Sequence, residues 1–273
     1  MKTLVFGAEG MLGSVLMRNP EAYGTTRRDQ SDSPSIIPGI DISLRSDLRR
    51  AIEWAQPKVV INCAGIVKSE CDSHPTARVF RVNGEGPHLI ADLASEFECR
   101  FIHLSTDCVF DGVRGLHTEA DTPNATDIYG RSKIVGEVLD RNDCVTLRTS
   151  FIGRDQRHGR GLLEWLFKED KPVGYERAIW SGFSTYELAR IIGAAVANTS
   201  LRGLYNVAGP VISKADLLQI LIDAYGLKCR VRREREPYID RSLDGRKFND
   251  ATGYEAPSWS AMAGELAFKE PLS

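Results

Sequence analysis

The sequence predicts an α/β protein: a doubly wound parallel sheet with a smaller C-terminal α/β lobe. Three observations carry this. Short β-branched apolar runs alternate with longer amphipathic stretches over residues 1–150, the first run leads into glycines at every third position, and the rhythm changes after Ser150. Candidate buried strands lie at 4–6, 22–26, 59–62, 100–105 and 145–148, with helical patterns at 11–18, 47–55, 77–97 and 132–139. Ser46 or Asp47 is the expected cap of the second helix. Beyond 150 come a polar, basic loop at 153–160, helical patterns at 185–197 and 214–225, and a tail that reads as irregular around 238–248 and 253–259. The expected organisation is a dinucleotide-binding domain of 1–150 plus about 184–209, and a small substrate-binding lobe of about 151–183 plus 210–273.

A chain of 273 residues suits one large domain or a large and a small one. Hydrophobic residues at 42% and charged residues at 26% are ordinary for a globular protein. The formal net charge of -2 carries no imbalance that would draw nucleic acid or an anionic membrane, so neither is an expected partner. Six cysteines (63, 71, 99, 108, 144 and 229) form no CxxC pair, which fits a reducing compartment and gives no metal-site spacing. With no signal-peptide pattern and no apolar run of membrane-spanning length, the expectation is a cytoplasmic protein without a bound metal.

The first strand ends in Gly7-Ala-Glu-Gly10-Met-Leu-Gly13 and runs into a helix. Glycines at this spacing let the turn tighten, let backbone N–H groups approach a pyrophosphate, and let the helix pack on the strand. Gly7, Gly10, Met11 and Leu12 are therefore candidate cofactor-binding residues. The next strand ends in Arg27-Arg28, where an NAD site commonly has a carboxylate for the ribose 2′-hydroxyl. Two arginines there favour the 2′-phosphate of NADP(H); the alternative is a solvated surface pair, and Asp29 follows at once.

Tyr129-Gly-Arg-Ser-Lys133 has the spacing that puts a tyrosine and a lysine on one helical face, about 6 Å apart along the axis. An ammonium there draws the phenol pKa down from near 10, so that tyrosine can exchange a proton with a carbonyl oxygen. Its position downstream of Ser105-Thr-Asp107, with the glycine turn upstream, separates it from a chance surface pair.

Taken together, these motifs resemble the extended short-chain dehydrogenase/reductase family, whose glycine turn is spaced GxxGxxG. The runs Ser105-Thr-Asp-Cys-Val-Phe-Asp-Gly112, Tyr129-Gly-Arg-Ser-Lys-Ile-Val-Gly-Glu137, Leu147-Arg-Thr-Ser150 and Arg241-Ser-Leu-Asp-Gly-Arg-Lys-Phe248 are similar to its dTDP-4-dehydrorhamnose reductase branch. The resemblance implies a Rossmann-type fold and hydride transfer from NADPH to the C4 ketone of a nucleotide-linked 4-keto-6-deoxyhexose. It implies that Thr106 hydrogen-bonds the substrate oxygen, that Tyr129 is the acid, and that Lys133 tunes it and holds the nicotinamide ribose. It places Asp41 and Ile42 beside the adenine, and Cys63, Ala64 and Gly65 in an NxAG-like turn along the cofactor. Asn83 falls where the family often has a structural asparagine.

Cys108 departs from the pattern, since the family usually has tyrosine there. Dehydratase relatives carry glutamate in that slot, and GDP-fucose synthase carries a cysteine that works as acid and base. Cys108 either shapes the pocket or transfers a proton. Phe151, Arg154 and Arg160 are further candidate substrate contacts. The basic segment Arg154, Arg157, His158 and Arg160 reads either as a diphosphate clamp or as a solvated loop. Two alternatives stay open beside the ketoreductase: an epimerase or epimerase-reductase using Cys108, and a non-catalytic NADP-binding regulatory subunit like the β-subunit of methionine adenosyltransferase. The expected partner is a nucleotide-sugar substrate, and a homodimer stays open.

Overall fold

The computed structural model describes every residue except Gln156, His158 and Ser273. The chain divides into two compact units: Met1–Val109, Pro123–Arg148 and Ala195–Tyr205 form the first, and Phe110–Thr122, Thr149–Ala194 and Asn206–Ser273 the second.

The first unit is built on β1 (Thr3–Phe6), β2 (Ala22–Thr25), β3 (Ile36–Ile37), β4 (Val59–Asn62), β5 (Arg100–Thr106) and β6 (Cys144–Thr149). With the strand Gly203–Asn206 they make a seven-stranded sheet in the order Gly203–Asn206, β6, β5, β4, β1, β2, β3. The pairs β3–β2, β2–β1, β1–β4 and β4–β5 are all parallel. β1 and β4 are buried at every position, so both of their faces are covered. The strand order reverses between β1 and β4, and in such sheets ligands bind outside the carboxyl ends of the strands at that point.

The helices of this unit are α1 (Met11–Leu16), α2 (Arg45–Ala55), α3 (Thr76–Phe80), α4 (Gly86–Glu96) and α5 (Ile128–Val135). In α2 the buried residues Leu48, Ala51, Ile52 and Ala55 recur at helical spacing. Its cap position is Leu44, and the expected cap Asp47 lies within the first turn, where it accepts a hydrogen bond from the Asp41 N–H at 3.0 Å. A π-helical turn, Arg81–Glu85, joins α3 to α4. Pro87 follows it, and its ring would clash with the carbonyl four residues back; the wider turn relieves that clash. Leu4, Phe6, Leu48, Ile52, Ile90, Leu93 and Phe101 form the core, each stabilising the fold by about 1.5–3 kcal/mol.

Smaller sheets make up the second unit. Phe151–Ile152 pairs with Phe183–Ser184, Val173–Tyr175 with Arg232–Glu234, and Ala178–Trp180 lies between Ile212–Ser213 and Ile239–Asp240. Its helices are α6 (Leu162–Leu166), α7 (Thr185–Ala197, whose end belongs to the first unit), α8 (Lys214–Tyr225), α9 (Arg246–Thr252) and α10 (Trp259–Lys269). The tail read as irregular thus contains two helices. Ser258 caps α10 through the Ala261 N–H, and Trp259, Met262, Ala263 and Leu266 form its buried stripe. The Arg241–Phe248 motif has a structural task here. The Ser242 hydroxyl accepts from the Leu116 N–H at 2.9 Å, its carbonyl accepts from the His117 N–H at 3.0 Å, and Phe248 is buried. Among the described residues no helix is long and apolar enough to cross a membrane.

Candidate active site

The glycine turn leaves β1 with Gly7 at φ +83°, a conformation side chains rarely adopt. A Cβ on Gly13 would lie 2.0 Å from the Gly7 carbonyl oxygen, so α1 packs directly on the turn. A Cβ on Gly10 would meet nothing nearer than 3.5 Å, so the middle glycine faces open space. Two glycines that close the backbone and one that keeps its outer face clear fit a pyrophosphate laid against the turn. Met11 and Leu12 open α1, where first-turn N–H groups have no intrahelical acceptor. On the facing strand, Asn62 accepts from the Ala64 N–H at 3.1 Å and shapes the turn that carries Cys63, Ala64 and Gly65.

At the end of β2 the two arginines differ. Arg27 is exposed and has no side-chain partner among the described residues, whereas Arg28 is ion-paired with Glu9 of the glycine turn. Asp41 sits in a ring of donors: Arg78 at 2.5 Å, and the N–H and hydroxyl of Ser43 at 2.9 and 2.8 Å. Burial disfavours its charge, but these hydrogen bonds outweigh that and hold the carboxyl below the usual range. Ile42 beside it is buried.

The catalytic candidates converge at the carboxyl end of β5. Thr106 is buried and accepts from the Cys108 N–H at 3.1 Å. The Thr106 hydroxyl donates to Asp107 Oδ1 at 3.1 Å, and Thr106 and Cys108 are the neighbours of the Tyr129 hydroxyl. Asp127 caps α5 through the Gly130 N–H at 2.8 Å and pairs with Lys68 at 2.7 Å. The helix therefore starts at Ile128, four residues before the start read from periodicity, and ends at Val135, with Gly136 in the cap position. Both Tyr129 and Lys133 lie inside it.

The electrostatics correct the sequence expectation. Lys133 makes one hydrogen bond among the described residues, to the Leu104 carbonyl at 2.7 Å. Burial lowers its pKa to about 8, against the opposing pull of Glu137 and Cys63. The Tyr129 hydroxyl is raised above its usual range, by burial first and then by Cys108. Tyr129 is thus a neutral phenol at pH 7, which is the form that donates a proton. Burial likewise pushes the Cys63 thiol up to about 12.

Behind this group lies a network that the motifs did not reveal. Glu137, one turn beyond Lys133, is bound by Arg148 through two contacts of 2.7 Å and by the Ser105 hydroxyl at 2.8 Å. Asn83 in the π-helical turn ties Ile66 (N–H at 2.8 Å, carbonyl at 2.9 Å) to the Ser132 hydroxyl at 3.1 Å, the structural role expected of it. The signal for Glu137 was its i+4 spacing from Lys133; the signal for Glu9 was its place between the first two glycines.

The substrate candidates in the second unit are described within that unit. Phe151 is half-buried in the strand pair with Phe183–Ser184. Arg154, for which the sequence leaves both a diphosphate clamp and a solvated loop open, is held by partners within the unit. Its Nε donates to Glu164 at 2.6 Å and its Nη1 to the carbonyls of Glu270 and Pro271 at 3.4 and 3.1 Å, and it lies over the Phe167 ring. These partners engage Nε and Nη1 of its guanidinium. Arg160 donates to buried Asp155 at 3.2 Å and remains partly exposed, Arg157 is exposed, and His158 lies outside the described residues.

Residues 1–173 match the family described as RmlD substrate binding domain. The probable low-salt glycan biosynthesis reductase Agl14 of Haloferax volcanii is 35% identical over 162 residues, 56% of this chain and 54% of that protein. A dTDP-4-dehydrorhamnose reductase of Burkholderia thailandensis is 31% identical over 205 residues, 72% of this chain and 65% of that protein. The matched stretch thus spans between about half and two thirds of these relatives' own lengths. The crystal structure of dTDP-4-dehydrorhamnose reductase from Bacillus anthracis in complex with NADP has a TM-score of 0.81 at 20% identity, covering 98% of this chain and all of that one. At that identity the likeness establishes the Rossmann-type fold.

Proposed function

The chain belongs to the RmlD substrate-binding domain family, and we propose that it is an NADPH-dependent reductase of the C4 ketone of a nucleotide-linked 4-keto-6-deoxyhexose. The observation that carries the reading is the burial of Tyr129 next to Thr106 and Cys108 at the carboxyl end of β5, with the buried ammonium of Lys133 in the same helix. The names of the relatives, a glycan biosynthesis reductase and a dTDP-4-dehydrorhamnose reductase, support it.

The cofactor supplies the hydride when bound. Gly7, Gly10, Met11 and Leu12 would hold its pyrophosphate, Arg27 and Arg28 its 2′-phosphate, Asp41 and Ile42 would flank the adenine, and Cys63, Ala64 and Gly65 would line its path. Lys133 has donors to spare beyond the Leu104 carbonyl, and these would hold the nicotinamide ribose. Thr106 and Tyr129 hydrogen-bond the ketone oxygen, and Tyr129, kept protonated by burial, donates its proton as the oxygen gains charge. Six free cysteines are in keeping with a cytoplasmic enzyme.

Incubation with NADPH and a panel of nucleotide 4-keto-6-deoxysugars tests the reading: one of them is reduced, and absence of turnover with all of them refutes it. A second reading, the epimerase-reductase, is favoured by one observation, the closeness of Cys108 to Tyr129. Reaction in D₂O separates the two. A plain ketoreductase leaves no solvent deuterium at C3 or C5, whereas label there, lost in Cys108→Ser, establishes the epimerase-reductase.

A further inference from the structure

Glu9 stands between the first two glycines of the turn, and its carboxylate reaches the end of β2. Thr26 donates its hydroxyl to Glu9 Oε2, Arg28 Nε donates to the same oxygen at 3.2 Å, and Arg28 Nη2 pairs with Glu9 Oε1. The Arg28 N–H in turn donates to the Thr26 hydroxyl at 3.3 Å. One of the two arginines suited to a 2′-phosphate is thereby turned onto a carboxylate of the chain itself, and Arg27 has no side-chain partner among the described residues.

A carboxylate and a phosphate present the same bidentate acceptor edge to a guanidinium, so they compete for Arg28. The two anions also repel each other. A ribose 2′-hydroxyl behaves differently, because it can donate to the carboxylate. The Arg28 side chain is 49% exposed, so water also competes for its pair with Glu9. Glu9 therefore handicaps the 2′-phosphate without excluding it.

We propose that Glu9 is a specificity-determining residue of the dinucleotide site: by holding Arg28 it limits how far the protein prefers NADPH over NADH, leaving Arg27 as the standing 2′-phosphate ligand. The inference rests on the cofactor reading above. It is tested by titration calorimetry of NADPH and NADH against the full chain, the Glu9→Gln variant and the Glu9→Gln/Arg28→Ala double variant. Glutamine keeps the size of the side chain and removes its charge. In Glu9→Gln the NADPH-to-NADH affinity ratio rises about tenfold, the equivalent of about 1.4 kcal/mol. In the double variant it returns to the wild-type ratio or below. A ratio within twofold of wild type in Glu9→Gln overturns the inference, as does a gain that survives removal of Arg28. Wild-type protein that binds neither dinucleotide overturns the cofactor reading and this inference together; normal binding with an unmoved ratio overturns the inference alone.

Discussion

Lys133 and Arg154 are buried cations, one in each unit, and their surroundings treat them in opposite ways. Among the described residues Lys133 has a single acceptor, the Leu104 carbonyl, and burial depresses its pKa to about 8. Arg154 has a carboxylate, two backbone carbonyls and an aromatic face. A cation held by several partners within its own unit helps to hold that unit together. One left with spare donors, at a cost in desolvation, is available to something that arrives. The first unit, supported by its apolar sheet, can carry such a group. In the second, the strands are only two or three residues long, and Arg154 ties the strand-end loop to α6 and the end of α10.

The largest effect should come from the chemistry of the first unit. Tyr129→Phe removes the acid and leaves the ring, so turnover falls about 10²–10⁴-fold while NADPH affinity is retained. Steady-state kinetics with calorimetry checks both halves, and near-normal turnover would remove Tyr129 from its role.

Arg154→Met should cost the fold about 3–5 kcal/mol in urea denaturation, because Glu164 is left buried and unpaired. A loss below about 1 kcal/mol would break the contrast with Lys133.

Lys133→Met goes the other way. In the folded chain Lys133 has a pKa of about 8, below the 10.4 of an unfolded lysine. The unfolded chain therefore binds more protons between those values, and wild-type stability rises with pH across that window. The penalty is fully present below about pH 8. The methionine variant should thus be more stable than wild type at pH 7, by about 1–2 kcal/mol once the lost hydrogen bond is subtracted, with the gap closing towards pH 10. Its turnover should fall all the same. Thermal melts across that range check the sign, and a gap that widens with pH would contradict it.

The smallest effects separate two helix caps. Asp127→Ala and Ser213→Ala each remove a side-chain cap and should each cost about 1 kcal/mol. Only Asp127→Ala should also lower turnover, since α5 carries Tyr129 and Lys133. Equal kinetic effects from both would show that the helix start at Ile128 does not position the pair.

Much of the first unit was legible in the sequence because its strands are buried on both faces and its helices have one apolar stripe. The expected segments 4–6, 59–62 and 100–105 fall within a residue of β1, β4 and β5. Helix α5 was placed four residues late, because its residues have weak apolar periodicity and its start is set by the Asp127 cap. In the tail, Tyr254, Pro257 and the turn glycines drew the reading towards irregular structure. Ser258 followed by apolar residues at 259, 262, 263 and 266 was the overlooked helix signal.

Residue type and spacing alone determined the family, the parallel sheet, the glycine turn and the Tyr129–Lys133 pair, since each depends on contacts only a few residues apart or on a strand's own apolar run. Tertiary structure alone decided which charges are spent and which are held in reserve. Glu9 meets Arg28, Glu137 meets Arg148, and Arg154 meets Glu164 and the end of α10. The depressed Lys133 and the raised Tyr129 likewise follow from burial, which no residue carries in its own identity. A charge's partners and its desolvation depend on three-dimensional distance, and the chain brings these groups together only when it folds.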